Sequence, residues 1–253
     1  MKTAIILSGH MRTFDKCLPT LAYHVFRHFP GADFFVSTVK GEDSWKADLL
    51  REQYPDHVEI DVADEQPDCV AEMRGLGVDL PPEWVRGVPY THEPYAISVH
   101  PQAVLRQLWQ LQHAWEFYQK TKARDHEIVI RCRPDLWIED AMVGQLAKAA
   151  YIDGALAFTP WWGRFGGVND RFAVLFAEAA KAYFTTYGRI PSLMAGGCPL
   201  HPESLVKASL LDQNVGLIDT LRIEFKAVHA NGSTKRNAEI TMSDVAHLAA
   251  SAK

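Results

Sequence analysis

The sequence predicts an α/β sandwich built on a mostly parallel sheet, and three observations carry that expectation. Two short β-rich runs, "TAIILSG" (3–9) and "ADFFVSTV" (32–39), flank a segment in which Phe14, Leu18, Leu21 and Val25 recur at four-three-four spacing. That is a strand, a helix with one buried stripe and a second strand, a unit that builds a parallel sheet by a right-handed crossover. Next, residues 101–122 open on Pro101 and repeat Val104, Leu108, Leu111, Trp115 and Tyr118, so a long helix leads into the apolar run "EIVIRCRPDLWIED" (127–140). Strands and helices then keep alternating to about residue 228.

Between these landmarks, "EDSWKADLLREQY" reads as a helix and "HVEIDV" as a strand, while "DLPPEWVRGVPYTHEPY", with four prolines, reads as a loop of the kind that serves as a lid or as surface covering. Further on we expect a helix near 142–150 and a strand "ALAFTP" (155–160). The Gly- and Trp-rich loop "WWGRFGGVNDR" follows, then a helix over 172–187 with Phe172, Phe176, Ala179 and Tyr183 on one face. "HPESLVKASLLDQN" reads as a short helix and "VGLIDTLRIEFKAV" as strand material. We therefore expect one domain over 1–228 and a tail, 229–253, with a short helix near 243–250.

Bulk composition narrows the functional classes. The 253 residues carry a formal charge of −5, which supplies no basic field for nucleic acid, so an anionic ligand has to be met by local clusters. Cys17, Cys69, Cys132 and Cys198 form no CxxC pair, and a reducing cytoplasm fits them. "MKTAIILSGHMRTF" lacks a small-residue cleavage site and reads as a first strand. No run approaches the roughly 20 apolar residues that span a bilayer, which leaves peripheral association as the membrane option.

In open α/β sheets ligands bind beyond the carboxyl ends of the strands, and polar clusters sit at those ends here. After the first strand, Ser8 and Gly9 permit close backbone approach, with His10 and Arg12 beside them to meet base, ribose or phosphate. In 127–140 alternation places Ile128, Ile130 and Cys132 on one face and Val129, Arg131 and Arg133 on the other, and Pro134 stops the strand so that Asp135 emerges at its mouth. Guanidinium groups suit bidentate phosphate contacts, and a carboxylate there can hold a divalent ion. The structural alternative is an internal Arg–Asp ion pair closing the strand end.

In the loop that follows, Trp161 and Trp162 offer faces for a sugar and are expected with Asn169 and Arg171 on the acceptor side; Asn169, Asp170 and Arg171 are placed at a helix start. Asp170 is the first candidate for a general base. Glu203, in "HPES", is the second, although Pro202 and an acidic first turn are also ordinary helix initiation. Arg106, Gln107, Gln110 and His113 lie off the apolar stripe of the long helix; most are expected to be solvated, with one or two lining the cleft.

Taken together, "ILSGHMRTF", "VIRCRPDLW", "FGGVNDRFAV" and "HPESLVKASL" resemble bacterial and viral glycosyltransferase-like proteins of the nucleotide-diphospho-sugar transferase (GT-A) type, from residue 1 to about 215 but not over 41–98. The resemblance implies a three-layer α/β/α domain, a nucleoside-diphosphate sugar as donor, a glycan or lipid-linked acceptor in surface polysaccharide synthesis, and a metal-binding DxD motif at the central strand. Here "RPD" supplies Asp135 alone, with Arg133 where the other aspartate would stand. Two arrangements are therefore open: Mn²⁺ or Mg²⁺ held at Asp135, or metal-independent neutralisation of the diphosphate by Arg131 and Arg133. The alternatives to transfer are a sugar nucleotidyltransferase, against which the single glycine of "SGHMRTF" counts, and a non-catalytic nucleotide-sugar or glycan-binding module.

Overall fold

The opening unit forms as its periodicity requires. In the computed structural model, which describes residues 2–82, 84–86, 97–122, 125–141, 143, 156–231 and 233, strands β1 (Thr3–Ser8) and β2 (Asp33–Val39) pair in parallel. Helix α1 (Phe14–His24) crosses between them and buries Phe14, Leu18 and Leu21. Helix α2 (Asp48–Gln53) and strand β3 (Val58–Ala63) follow, with β3 parallel to β2. Next come α3 (Cys69–Gly75), a two-stranded ribbon of β4 (Trp84–Arg86) and β5 (Ile97–Val99), and the long helix α4 (Pro101–Thr121).

The run at 127–140 is two strands. β6 (Ile128–Cys132) ends just before Arg133-Pro134, and the chain leaves the sheet as β7 (Leu136–Ala141). This is the stop expected of proline, which has no N–H for a ladder. The remaining elements are β8 (Leu156–Pro160), β9 (Phe172–Phe176), α5 (Ala177–Phe184), α6 (Thr186–Ala195), α7 (Pro202–Asp212), β10 (Gly216–Leu221) and β11 (Ile223–Ala227).

The central sheet has the order β10-β8-β9-β6-β1-β2-β3, with β9 alone antiparallel to its neighbours, so the fold is α/β with a mostly parallel seven-stranded sheet. Ala4, Ile6, Val129, Ala173 and Leu175 face the layer that contains α3 to α7. On the other face Ile5, Leu7, Ile128, Ile130, Phe172 and Val174 pack with α1 and α2 and with a small antiparallel sheet of β7 and β11, so the second outer layer is part helix and part strand.

One expectation is corrected. Residues 172–176 are a strand, and the helical stretch that follows is divided into α5 and α6. "FAVLF" sits between β6 and β8, where both faces are covered; Phe172, Val174 and Phe176 point to one core and Ala173 and Leu175 to the other. The four-residue spacing of Phe172 and Phe176 satisfies a period of 2 as well as it does 3.6, and burial on both faces selects the strand. The helices expected near 142–150 and 243–250, and most of the proline-rich loop, lie outside the described residues.

Candidate active site

β1 is flanked by β2, its successor in the chain, on one side and by β6 on the other, so the strand order reverses between β6 and β1. A crevice beyond the carboxyl ends of two such strands is where open α/β sheets take ligands. The two segments that the sequence marks come together there. Gly9 adopts φ +140°, and a Cβ on it would stand 3.2 Å from Pro134 Cδ, so the turn after β1 lies directly against the turn after β6. The Gly9 N–H donates to Ser37 O (3.2 Å), and Lys46 Nζ donates to Arg12 O (2.7 Å), which hold the loop carrying His10 and Arg12 at the mouth.

Arg133 and Asp135 form a bidentate pair across Pro134, with Nε donating to Oδ1 at 2.8 Å and Nη2 to Oδ2 at 2.5 Å. Their side chains are 27 % and 19 % exposed. Burial alone would lift the Asp135 carboxyl; the Arg133 guanidinium, with Arg171 beyond it, outweighs that and holds it below the usual carboxylate value. In return Asp135, with Asp170, raises Arg133 further, against burial. The ion pair weighed as the structural alternative is thus formed, and it uses only part of the guanidinium, leaving its other N–H groups for a ligand.

Arg131 is placed differently. It is 2 % exposed, points to the helical layer with Ile6 and Ala173 as its ladder neighbours, and donates through Nη1 to its neighbour's carbonyl, Cys132 O. Burial lowers its pKa from the arginine range, opposed by Tyr183, Cys132 and Asp170. Arg131 therefore lies beneath the mouth, not on it. Among the described residues Arg131 Nε, Tyr183 Oη and Ser8 Oγ are buried with no hydrogen-bond partner.

Asp170 and Arg171 come just before β9, not at a helix start. The Asp170 carboxylate is 2 % exposed and accepts from Gln107 Nε2 on α4. Gln110, one turn on, is buried and donates to Ser37 O and Ser37 Oγ, both at 3.2 Å, so the polar residues of α4's first half seal the crevice. Asn169 is fully buried and holds its own loop: Nδ2 donates to Trp162 O (2.9 Å) and Oδ1 accepts from the Arg171 N–H (3.0 Å). Glu203 is 5 % exposed in the first turn of α7, with Oε2 3.3 Å from His201 Nε2. The Val168 N–H donates to Glu203 O (3.0 Å), and Gly167 packs against that same backbone so tightly that no Cβ fits.

At the outer edge His10 is exposed, yet crowding in the cleft and the cations Arg12, Arg133 and Arg106 push its pKa below the ordinary value, against the opposing pull of Asp135. The shift favours the neutral imidazole, which can accept as well as donate. Trp161 is 51 % exposed on the far side of the cleft, and Trp162 is half-buried with Nε1 donating to Ile223 O (2.8 Å). Tyr183 was expected only as part of an apolar stripe; its role as a polar group under the site has no signal in helical periodicity.

Each Asp135 oxygen accepts one hydrogen bond from Arg133, and among the described residues no group of three or more His, Cys, Asp or Glu is arranged to hold a metal. Among the same residues no helix is long and apolar enough to cross a membrane.

No protein-family model matches the sequence, and no curated protein matches it. Among solved structures, the chain is similar to mouse xyloside xylosyltransferase 1 in its apo form, at TM-score 0.44 and 10 % identity over 86 % of this chain and 84 % of that one. It is similar as well to the apo form of the glycosyltransferase GlyE of Streptococcus pneumoniae TIGR4, at TM-score 0.44 and 9 % identity over 87 % of this chain. It spans only 45 % of the GlyE chain. At these scores no chemistry is transferred from either protein to this chain.

Proposed function

We propose that the protein transfers a glycosyl group from a nucleoside-diphosphate sugar to a hydroxyl on a glycan acceptor. The observation that carries the reading is the meeting, at the β1/β6 switch point, of the Ser8-Gly9-His10 turn, the Arg133–Asp135 pair and the Asp170-Arg171 segment. Arg12, Arg106, Arg133 and Arg171 concentrate positive charge on this one crevice of a chain whose net charge is −5, which suits a polyanionic group held locally.

In this reading Ser8, Gly9, His10 and Arg12 cradle the nucleotide, Arg133 faces the diphosphate, and Arg171 stands on the acceptor side. The acceptor oxygen attacks the anomeric carbon as the bond from that carbon to the diphosphate oxygen breaks. The electron pair leaves with the diphosphate, where the guanidinium groups stabilise it. For an inverting enzyme Asp170 takes the acceptor proton, with Glu203 as the second candidate. Arg131, buried beneath, acts through Asp170 and Arg133 and does not touch the donor. The arginines supply the charge that a metal ion would otherwise supply, so no step requires Mn²⁺ or Mg²⁺.

A thermal-shift screen with UDP-, GDP-, CMP- and dTDP-sugars, each with and without Mn²⁺, tests this. One nucleoside-diphosphate sugar should raise the melting temperature equally in the two conditions. No shift with any donor would sink the transferase reading, and a shift only with Mn²⁺ would sink its metal-free form.

A further inference from the structure

Beside the arginine crevice lies a second cavity, of about 260 Å³, walled by Trp161, Trp162, Phe225, Arg171, Glu139 and Lys226, with Glu224 at its rim. Its walls come from distant parts of the chain: the loop after β8 and the β7–β11 sheet. The aromatic wall is held rigidly. Trp162 donates to Ile223 O and lies 4.6 Å from the Phe225 ring, Asn169 grips the Trp162 carbonyl, and the Trp161 N–H donates to Leu221 O (3.2 Å). Trp161 nonetheless leaves half its surface open.

We infer that this cavity binds a neutral pyranose, the acceptor's terminal sugar. Three features select that chemistry. The volume is below the roughly 300–1,000 Å³ of sites for drug-sized ligands, which suits a sugar ring or two and not a helix or an extended peptide. An exposed indole beside a fixed one presents flat apolar faces to the C–H side of a pyranose, while the charged rim offers donors and acceptors to its hydroxyls. The charges cancel: Glu139 is paired with Lys226, and Arg171 and Glu224 add one of each sign. A uronic acid or an amino sugar would need an uncompensated partner there, whereas a hydroxylated neutral ring does not.

The cavity also adjoins the chemistry. The Arg133 N–H donates to Arg171 O (3.1 Å), and Arg171 lines the cavity, so a sugar there stands one residue away from the Arg133–Asp135 pair. The acceptor role rests on the proposed transferase reading; sugar binding itself does not.

Ligand-detected NMR titration of the full chain tests it, with methyl β-glucopyranoside and lactose as neutral probes and methyl glucuronide and glucosamine as charged ones. The expected result is saturable millimolar binding of a neutral probe, weakened roughly tenfold or more in Trp161→Ala, the scale of a truncated aromatic anchor. Trp45→Ala, which removes an indole that is 58 % exposed and is not in the cavity wall, should bind as the parent does. Absence of saturable neutral-sugar binding, binding unchanged in Trp161→Ala, or tighter binding of a charged probe would each overturn the inference. Sugar binding without any donor-induced thermal shift would refute the transferase reading and leave the pocket standing. Donor shift and turnover without sugar binding would do the reverse.

Discussion

Replacing Asp135 by Asn removes one charge from the bidentate pair at the mouth of β6 and changes little else in volume. Exposed ion pairs contribute about 0–1 kcal/mol, and breaking a buried one costs about 3–5 kcal/mol. With side chains 27 % and 19 % exposed and two short charged hydrogen bonds, this pair lies between those limits. We expect Asp135→Asn to lose about 2–3 kcal/mol at neutral pH, a fall of about 5–10 °C in melting temperature for a chain of this size. The pH dependence has a definite sign. Because Arg133 holds the native carboxyl below its unfolded value of about 3.9, the stabilisation is fully present above that value and is lost as pH falls through the native one. The gap between parent and variant should therefore be constant from pH 7 to about 5 and close on further acidification. Urea unfolding of the parent, Asp135→Asn, Arg133→Gln and the double variant across that range measures both the coupling and its titration. Equal stability of parent and Asp135→Asn at pH 7, or a gap that persists at low pH, would refute the reasoning.

Other consequences are open to simple assays. Gly167→Ala drives a Cβ into the Glu203 carbonyl and the Ser204 nitrogen, and should cost about 3 kcal/mol or more in urea unfolding, so a variant of parental stability would refute the close approach. Asp170→Asn should lower kcat by about 10²–10⁴ while donor binding stays nearly intact, and an active Asp170→Asn enzyme removes it as the base. Arg131→Met, which fills the buried volume without a charge, should unfold within about 1 kcal/mol of the parent, whereas Arg131→Ala should lose about 3–5 kcal/mol. Equal losses in these two variants would show that the charge, not the volume, is what the site needs.

Local periodicity made much of the architecture legible. Alternation assigned Ile128, Ile130 and Cys132 to one face and Val129 and Arg131 to the other; the first three lie in one core and Val129 in the other, with Arg131 buried. Pro134 marked the strand end, and Pro101 and Pro202 marked helix starts, because a ring-locked φ and a missing N–H act on the chain wherever it lies. The strand at 172–176 was not legible in this way. Phe172 and Phe176 are compatible with both periods, and only burial between β6 and β8 decides between them.

The candidate site divides along the same line. By itself the sequence marked candidate segments for the chemistry and put the turns after β1 and β6 at strand ends, since strand-end position follows from short-range pattern. Only the tertiary structure decided which charges meet. It closes Arg133 on Asp135, buries Arg131 near Tyr183 and Asp170, ties Asp170 to Gln107, and assembles a cavity of about 260 Å³ from residues 139, 161, 162, 171 and 224–227. These outcomes depend on desolvation and on contacts between residues far apart in the chain, and no local spacing encodes either.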